Sequence, residues 1–473
     1  MYTGMTSVHR QSLRLLGIAV ALGMPLLAAT ASSAATVTVT NTSDSAPGSL
    51  RRAIMSASSG DTIIFASNLS GATITLTSGH VFIGKNLTID ASALANALTI
   101  SGNNAARIFE FEHSTNTITG LTLIHGAALG GHPEDFGGAI YLVSASLTIS
   151  NCTLADNRGV FGGAIYNEDS TLTINNCTLA RNSAANGGGI VNDGARLTVN
   201  NSTLVGNSAN DGGAIYSINT IALTINNSTL EGNSGTAAGG GIHLVTGELK
   251  LYTSTLAGNS AGNGGAIVNS PTTLLTLINS TLVGNSATNF GGGIHNNIGT
   301  ANLTNSIVAG NTARTNANIS GSSSGANNLT NGNPMLAPLG NYGGPTRTMP
   351  PLPGSPAVDS GRDSVTNFLA NDQRGVARLA GAHVDIGAVE GVFNPDFRLV
   401  NAMRLANGSF QFSFTNLPGA TFRVSATTNI SLSSSNWQTI GFATETPAPS
   451  GHFQFIDPHA TNHPTRFYRA HFP

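Results

Sequence analysis

One sentence of sequence is written seven times between Gly137 and Asn311. Each copy opens with Gly-Gly-(Ala/Gly)-Ile, passes through a Leu-Thr-Ile-like middle and closes on Leu-x-x-Asn (Val-x-x-Asn in the last). The opening Ile residues are Ile140, Ile165, Ile190, Ile215, Ile242, Ile267 and Ile294. The closing Asn residues are Asn157, Asn182, Asn207, Asn233, Asn259, Asn285 and Asn311. Both series advance by 25 to 27 residues, a period that specifies a stacked repeat before any other reading is considered.

Within a copy, apolar residues alternate with polar ones, as in Leu172-Thr173-Ile174, which is strand period and not helix period. Val, Ile, Leu and Thr fill the strands, while Gly and Asn sit where a bend needs positive φ. Each copy therefore reads as three short strands and three bends, one rung of a solenoid. Ten residues separate Leu147 from Asn157, and the later copies keep that interval. The other two intervals vary by one residue, so one corner is fixed and two accept an insertion. Ile140 and its equivalents should form one buried ladder, and Leu154, Leu179, Leu204, Leu230, Leu256, Leu282 and Val308 another. Seven coils paired about 4.8 Å apart give a core roughly 30 Å long. An Asn amide can donate to one coil, accept from the other and tolerate the left-handed bend, so the Asn series reads as a structural ladder.

These motifs resemble right-handed parallel β-helix proteins of bacterial surfaces, including the repeats of chlamydial polymorphic outer-membrane proteins. The resemblance implies an all-β, pectin-lyase-like solenoid. It does not fix an activity, because this fold carries both enzymes and adhesins.

Residues 1–35 read as a secretory signal peptide. Arg10 and Arg14 precede an apolar run from Leu15 to Ala29, and small residues follow at Ala31 to Ala35. The run is shorter than the ~20 residues of a membrane span, so the mature chain should carry no transmembrane segment and should be secreted or held at the cell surface. The net charge of −2 becomes −4 without the two arginines. That balance leaves no basic footprint for nucleic acid.

Residues 36–136 read as an amino-terminal cap and irregular first coils. The short amphipathic helix around Ser49-Leu50-Arg51-Arg52-Ala53-Ile54 is suited to cover an open sheet end. Residues 312–391 read as final coils and an end region. The succession Asn341-Tyr342-Gly343-Gly344-Pro345, Gly354-Ser355-Pro356, Asp372-Gln373-Arg374-Gly375 and Asp385-Ile386-Gly387-Ala388-Val389-Glu390 is similar to the end of secreted bacterial proteins of the choice-of-anchor Q type. Arg374 and Arg378 can neutralise the acids there and lock a cap; Ca²⁺ binding by the carboxylates is the weaker alternative. Residues 392–473 hold 13 of the chain's 27 aromatic residues. Alternation at Phe410, Phe412 and Phe414 and turns at Asn407-Gly408 and Pro418-Gly419 predict a small β-sandwich. It resembles carboxy-terminal modules of secreted verrucomicrobial and planctomycete proteins, which implies a sorting or anchoring role.

The only cysteines, Cys152 and Cys177, occupy one register of adjacent coils, where Ser202, Ser228, Ser254, Ser280 and Ser306 follow. Export permits a disulfide, but parallel stacking does not aim the two Cβ atoms at each other, so a small inward position that accepts Cys or Ser is the favoured reading.

No catalytic signature is legible. Asp135, Asp156, Asp169, Asp193 and Asp211 are scattered over registers, and Lys occurs only at Lys85 and Lys250. Asp169 and Asp193 are the pair closest in register and should lie on adjacent coils. No resident cofactor is implied. One stripe points to binding: the residue after each ladder Ile should face outward, which places Tyr141, Tyr166, Tyr216, His243 and His295 in a row with Val191 and Val268. Such a row can stack on sugar rings, or its members can stack on each other. The sequence thus predicts a secreted structural or adhesive solenoid with a polysaccharide or cell-surface ligand, with a polysaccharide lyase or glycoside hydrolase as the alternative. Oligomeric state is not encoded in any of these features.

Overall fold

The computed structural model describes residues 34–131, 133–448 and 450–471; residues 1–33 of the expected signal peptide lie outside them. The repeats stack as a parallel solenoid. One strand from each coil joins a twelve-stranded sheet that begins at Thr36–Val39 and contains the Leu-Thr-Ile strands. Two ten-stranded sheets carry the Gly-Gly-Ile strands and the Thr-Leu strands. Pairing is parallel and in register, as in Leu147 on Leu172 and Ile149 on Ile174. The irregular amino-terminal coils keep the same register, with Thr36 on Thr62 and Thr62 on Thr88.

The two anticipated ladders form the lumen. All seven Ile residues from Ile140 to Ile294, and all members from Leu154 to Val308, are fully buried. Burying each such side chain contributes about 1.5–3 kcal/mol. The paired glycines at each rung have distinct duties. Gly137 has φ 61°, and a Cβ there would stand 2.0 Å from the Ile140 carbonyl oxygen; Gly138 lies so close to the next coil that a Cβ would meet Gly163 O at 2.3 Å.

The later coils depart from the three-strand expectation. Ser208–Asp211, Ser234–Ala238, Ser260–Asn263, Ser286–Phe290 and Thr312–Thr315 form a fourth sheet of five strands. Its ladder slips between Ala209 and Asp211 and at the equivalent points further on. Those bulges absorb the variable residue in this side of the coil. In earlier coils the same side is held by isolated bridges such as Phe161–Asn186.

The helix Leu50–Ser56 is N-capped by Ser49, whose side chain accepts from Arg52 N–H, and buries Leu50, Ala53 and Ile54 in the same core as the coil ladders. At the other end, Leu329 bridges to Ile307, and there the coils stop. Of the further coils expected for residues 312–391 one does form, through Thr312–Thr315, Ile319–Ser320 and Ser324–Ala326 on the rung before it; the segment that follows does not coil. It folds back along the outside of the Thr-Leu sheet, over Thr229, Thr255 and Thr281, which are consequently buried.

Gln373 is the pin of that docking. Its Nε2 donates to Thr229 Oγ1 at 3.0 Å and Thr346 Oγ1 at 2.9 Å, while its Oε1 accepts from Thr255 Oγ1 at 2.6 Å. Ala388 N–H donates to Thr281 Oγ1 at 3.0 Å, and Arg347 pairs with Glu231. Beyond it, Val400–Arg404, Phe410–Thr415, Thr444–Glu445 and His452–Asp457 make a four-stranded antiparallel sheet. Arg423–Thr427, Gln438–Phe442 and Phe467–His471 make a three-stranded one. Phe412, Phe414, Phe422 and Phe453 pack between them in one core with Tyr342, Ala388 and Phe393 of the docked segment.

Candidate functional site

The outer side of the Gly-Gly-Ile sheet carries the predicted stripe, and it is less open than strand alternation implies. Tyr141 and Tyr166 point away from the lumen yet are only 6 % exposed. The chain preceding each Gly-Gly corner arches over the sheet, so that Phe136 stacks on Tyr166 at 4.1 Å and meets Tyr141 edge-on at 5.6 Å. With Val191 they form a small apolar cluster separate from the main core. Tyr216, His243 and His295 are half-buried. The rings therefore pack chiefly on one another and on Phe136 and Phe290, and no continuous open aromatic platform results.

Polar atoms on this side follow a diagonal rule. The second residue of a strand reaches the fourth residue of the strand one coil on, 27 residues later. Tyr141 donates to Glu168, and Tyr166 donates to Asp193 Oδ2 at 3.0 Å. Burial, and then the neighbouring carboxylate, pushes both phenols well above their ordinary range. The same diagonal places His243 Nε2 3.3 Å from Ser270 Oγ. On its other side, His243 Nδ1 lies 3.3 Å from Asp211 Oδ1. The Tyr216 ring meets the imidazole edge-on at 5.5 Å. His295 has no such pair: burial lowers its pKa, and Phe290 stacks on it.

Asp169 lies beside Asp193, its backbone N–H donating to Asp193 O at 3.0 Å, but the two are not register partners. Asp193 stacks on Glu168 in the strand ladder, and its second oxygen accepts from Asn219 Nδ2 at 2.9 Å. Asp156 is held by Arg181 through two hydrogen bonds of 2.9 and 2.7 Å. Residues that the sequence did not single out do converge near the amino-terminal coils. Arg107 pairs with Glu110 and lies 4.9 Å over the Tyr141 ring. Its remaining nitrogens donate to Phe136 O and Pro133 O at 2.9 and 2.8 Å. This guanidinium ties down the arching loop.

The Asn series Asn157, Asn182, Asn207, Asn233, Asn259, Asn285 and Asn311 is a buried ladder. Asn182 Nδ2 donates to Leu154 O at 3.0 Å behind it and to Asn207 Oδ1 at 2.9 Å ahead, while its own Oδ1 accepts from Asn157 N–H at 3.0 Å. The left-handed bend sits one residue earlier than anticipated, at Asp156, Arg181 and then Gly206 through Gly310. Cys152 and Cys177 are buried free thiols. Cys177 Sγ accepts Cys152 N–H at 3.4 Å, the place Ser202 Oγ takes for Cys177 N–H at 2.9 Å. Each side chain is thus turned to the backbone of the preceding coil, and the two thiols also lie within hydrogen-bonding reach of each other.

In the docked segment, Arg374 binds Asp372 Oδ2 through Nε at 2.9 Å and Nη2 at 2.7 Å, both residues being buried. Asp385 accepts from Asp359 and Gly391 N–H, both at 2.7 Å. These carboxylates are committed to the protein. Among the described residues no group of three or more His, Cys, Asp or Glu side chains is placed to hold a metal ion, and no helix is long and apolar enough to cross a membrane.

The longest regular surface lies on the twelve-stranded sheet. Thr36, Thr62, Thr88, Thr117, Thr148, Thr173, Thr198 and Thr224 stand in one unbroken outward column. Beside it runs a second column in which Asn226 Nδ2 donates to Asn200 Oδ1 at 2.8 Å and Asn200 Nδ2 to Asn175 Oδ1 at 2.9 Å.

The family model for the right-handed β-helix region matches residues 29–274, just over half of the chain. The chain belongs to the right-handed β-helix family. The match ends inside the sixth of the seven regular coils, so the last β-helix turns are defined by the register of their strands. A search of curated proteins found no match to this β-helix.

Proposed function

We propose that this β-helix is a secreted or surface-displayed structural and adhesive protein that binds a repetitive polymer, a polysaccharide above all. The ligand lies along the outer face of the twelve-stranded sheet. The observation that carries this reading is the Thr column with its hydrogen-bonded Asn column. Hydroxyls and amides repeat there at the strand spacing of about 4.8 Å, and the amides are held in one orientation by their neighbours. Side chains already ordered by the fold lose little entropy on binding, which is what a weak contact repeated many times requires. This face replaces the aromatic stripe as the ligand surface, because Tyr141 and Tyr166 are covered. The amino-terminal leader is the basis for export, and the carboxy-terminal sandwich is suited to anchoring.

The test is depletion of the protein from solution by insoluble plant, algal and bacterial polysaccharides, with reducing ends assayed in the supernatants. The triple variant Thr148→Val, Thr173→Val, Thr198→Val keeps β-branched shape and removes three hydroxyls. Binding lost in that variant at unchanged thermal stability supports the reading. Equal binding overturns it, and new reducing ends would point to a glycan-cleaving enzyme instead.

A further inference from the structure

We infer that Asp211, His243 and Ser270 form an acyl-transfer centre that hydrolyses short carboxylic esters. The three residues come from three consecutive coils. His243 Nε2 is 3.3 Å from Ser270 Oγ, and Nδ1 is 3.3 Å from Asp211 Oδ1. That second approach is off the hydrogen-bond line, so the buried Nδ1 has no hydrogen-bond partner among the described residues. A small turn of the ring closes it, and catalytic contacts of this kind are commonly loose before substrate arrives. With its proton on Nδ1 facing the carboxylate, the imidazole leaves Nε2 free to accept the serine proton.

The surroundings distinguish this coil from its neighbours. In two earlier coils the diagonal joins a tyrosine to an acid, Tyr141 to Glu168 and Tyr166 to Asp193, two groups with no nucleophile between them; here it joins an imidazole to a half-exposed hydroxyl. Ser270 sits at the strand end, with its N–H held by Leu244 O at 3.1 Å. One coil on, Asn269 stacks on Asn296, which places Asn297 beside Ser270. Asn297 N–H is bound to Asn269 O at 2.8 Å, and its exposed side-chain amide is left as a donor for an oxyanion. Ile298 follows it, 85 % exposed at φ 63°. A β-branched residue in that region is strained, and its exposed apolar surface is where an acyl chain would rest. The bend is open, so the substrate is a short acyl ester carried on a larger alcohol.

The reaction needs only water. Ser270 Oγ adds to the acyl carbon as its proton passes to His243 Nε2, and the amide of Asn297 hydrogen-bonds the resulting oxyanion. The carbon–oxygen bond to the alcohol then breaks, and the alcohol leaves with the proton from Nε2. Water adds to the acyl carbon as its proton passes to Nε2; the carbon–Oγ bond then breaks, Nε2 returns the proton to Ser270 Oγ, and the carboxylic acid leaves. Asp211 is a positioning residue that sets the tautomer and orientation of the ring.

The test uses the whole chain, a fluorophosphonate probe with peptide mapping, and 4-nitrophenyl acetate turnover. The expected result is a label on Ser270, turnover reduced to background in Ser270→Ala, and a drop of about 100-fold or more in His243→Gln. Asn297→Ala should lower kcat and leave KM unchanged. Asp211→Asn should shift the acid limb of the pH–rate profile, which a merely structural role would not do. Circular dichroism of each variant separates lost chemistry from lost fold. An unlabelled Ser270 in folded wild-type protein, or undiminished turnover in folded Ser270→Ala, overturns the assignment. Polymer binding is not part of this assay, so its outcome is independent of the adhesive reading.

Discussion

The hydroxyl of Tyr166 donates to Asp193 across one coil, 27 residues on, at 3.0 Å. The bond ties a side chain that strand alternation turns outward back onto the solenoid, under Phe136. Tyr166 is therefore part of a packed layer. Tyr166→Phe should cost about 1 kcal/mol, since Asp193 keeps its bond from Asn219. Tyr166→Ala should cost about 3–5 kcal/mol through the cavity it leaves beneath Phe136. Urea unfolding measures both, and an alanine variant as stable as wild type would contradict the packing.

The Asn ladder makes a prediction of opposite chemistry. Asn207→Leu keeps the branched shape, but strands the Asn182 backbone N–H behind it and takes Nδ2 away from the Leu179 carbonyl, while Asn233 Oδ1 keeps only the Asn207 backbone N–H. Buried groups left without partners cost about 1–3 kcal/mol each. We expect a loss of at least about 2 kcal/mol and, by hydrogen exchange, local opening centred on the neighbouring coils. Thermal denaturation unchanged from wild type would show the ladder to be energetically idle.

Stability should fall as pH rises across the neutral range because of Glu390. Burial, then the nearby Asp385 carboxylate, pushes its pKa from 4.5 up to about 8. Between those values the folded protein holds a proton that the unfolded chain has released. Folding is thus favoured below about 4.5, and the advantage is progressively lost up to about 8. Glu390→Gln should flatten that slope in a series of melts from pH 5 to 8. A slope as steep as wild type's would assign the effect to another group.

Gln373 holds the returning segment to the solenoid. Gln373→Leu leaves the buried hydroxyls of Thr229 and Thr255 short of partners. Residues 340–390 should then exchange amide hydrogens faster, or be cut by protease, while the Ile140–Ile294 coils stay protected. Equal protection of both regions would mean that the aromatic core around Tyr342 and Phe393 suffices for docking.

The period of 25 to 27 residues, read with strand alternation, determined the solenoid, its Ile and Leu ladders and the structural use of Asn at one register, because these follow from stacking identical units. The aromatic run after Val392 likewise announced antiparallel strands. Local pattern says which way a side chain leaves its strand, and nothing about what later covers it. Only the tertiary structure could therefore bury Tyr141 and Tyr166 beneath the arching loop at Phe136, or lay Gln373 on Thr229 and Thr255, more than 100 residues earlier. The same holds for Asp211, His243 and Ser270. The sequence marked His243 only as a stripe member, Asp211 only as a scattered acid and Ser270 not at all, and they meet because stacking turns a separation of some thirty residues along the chain into one strand spacing in space.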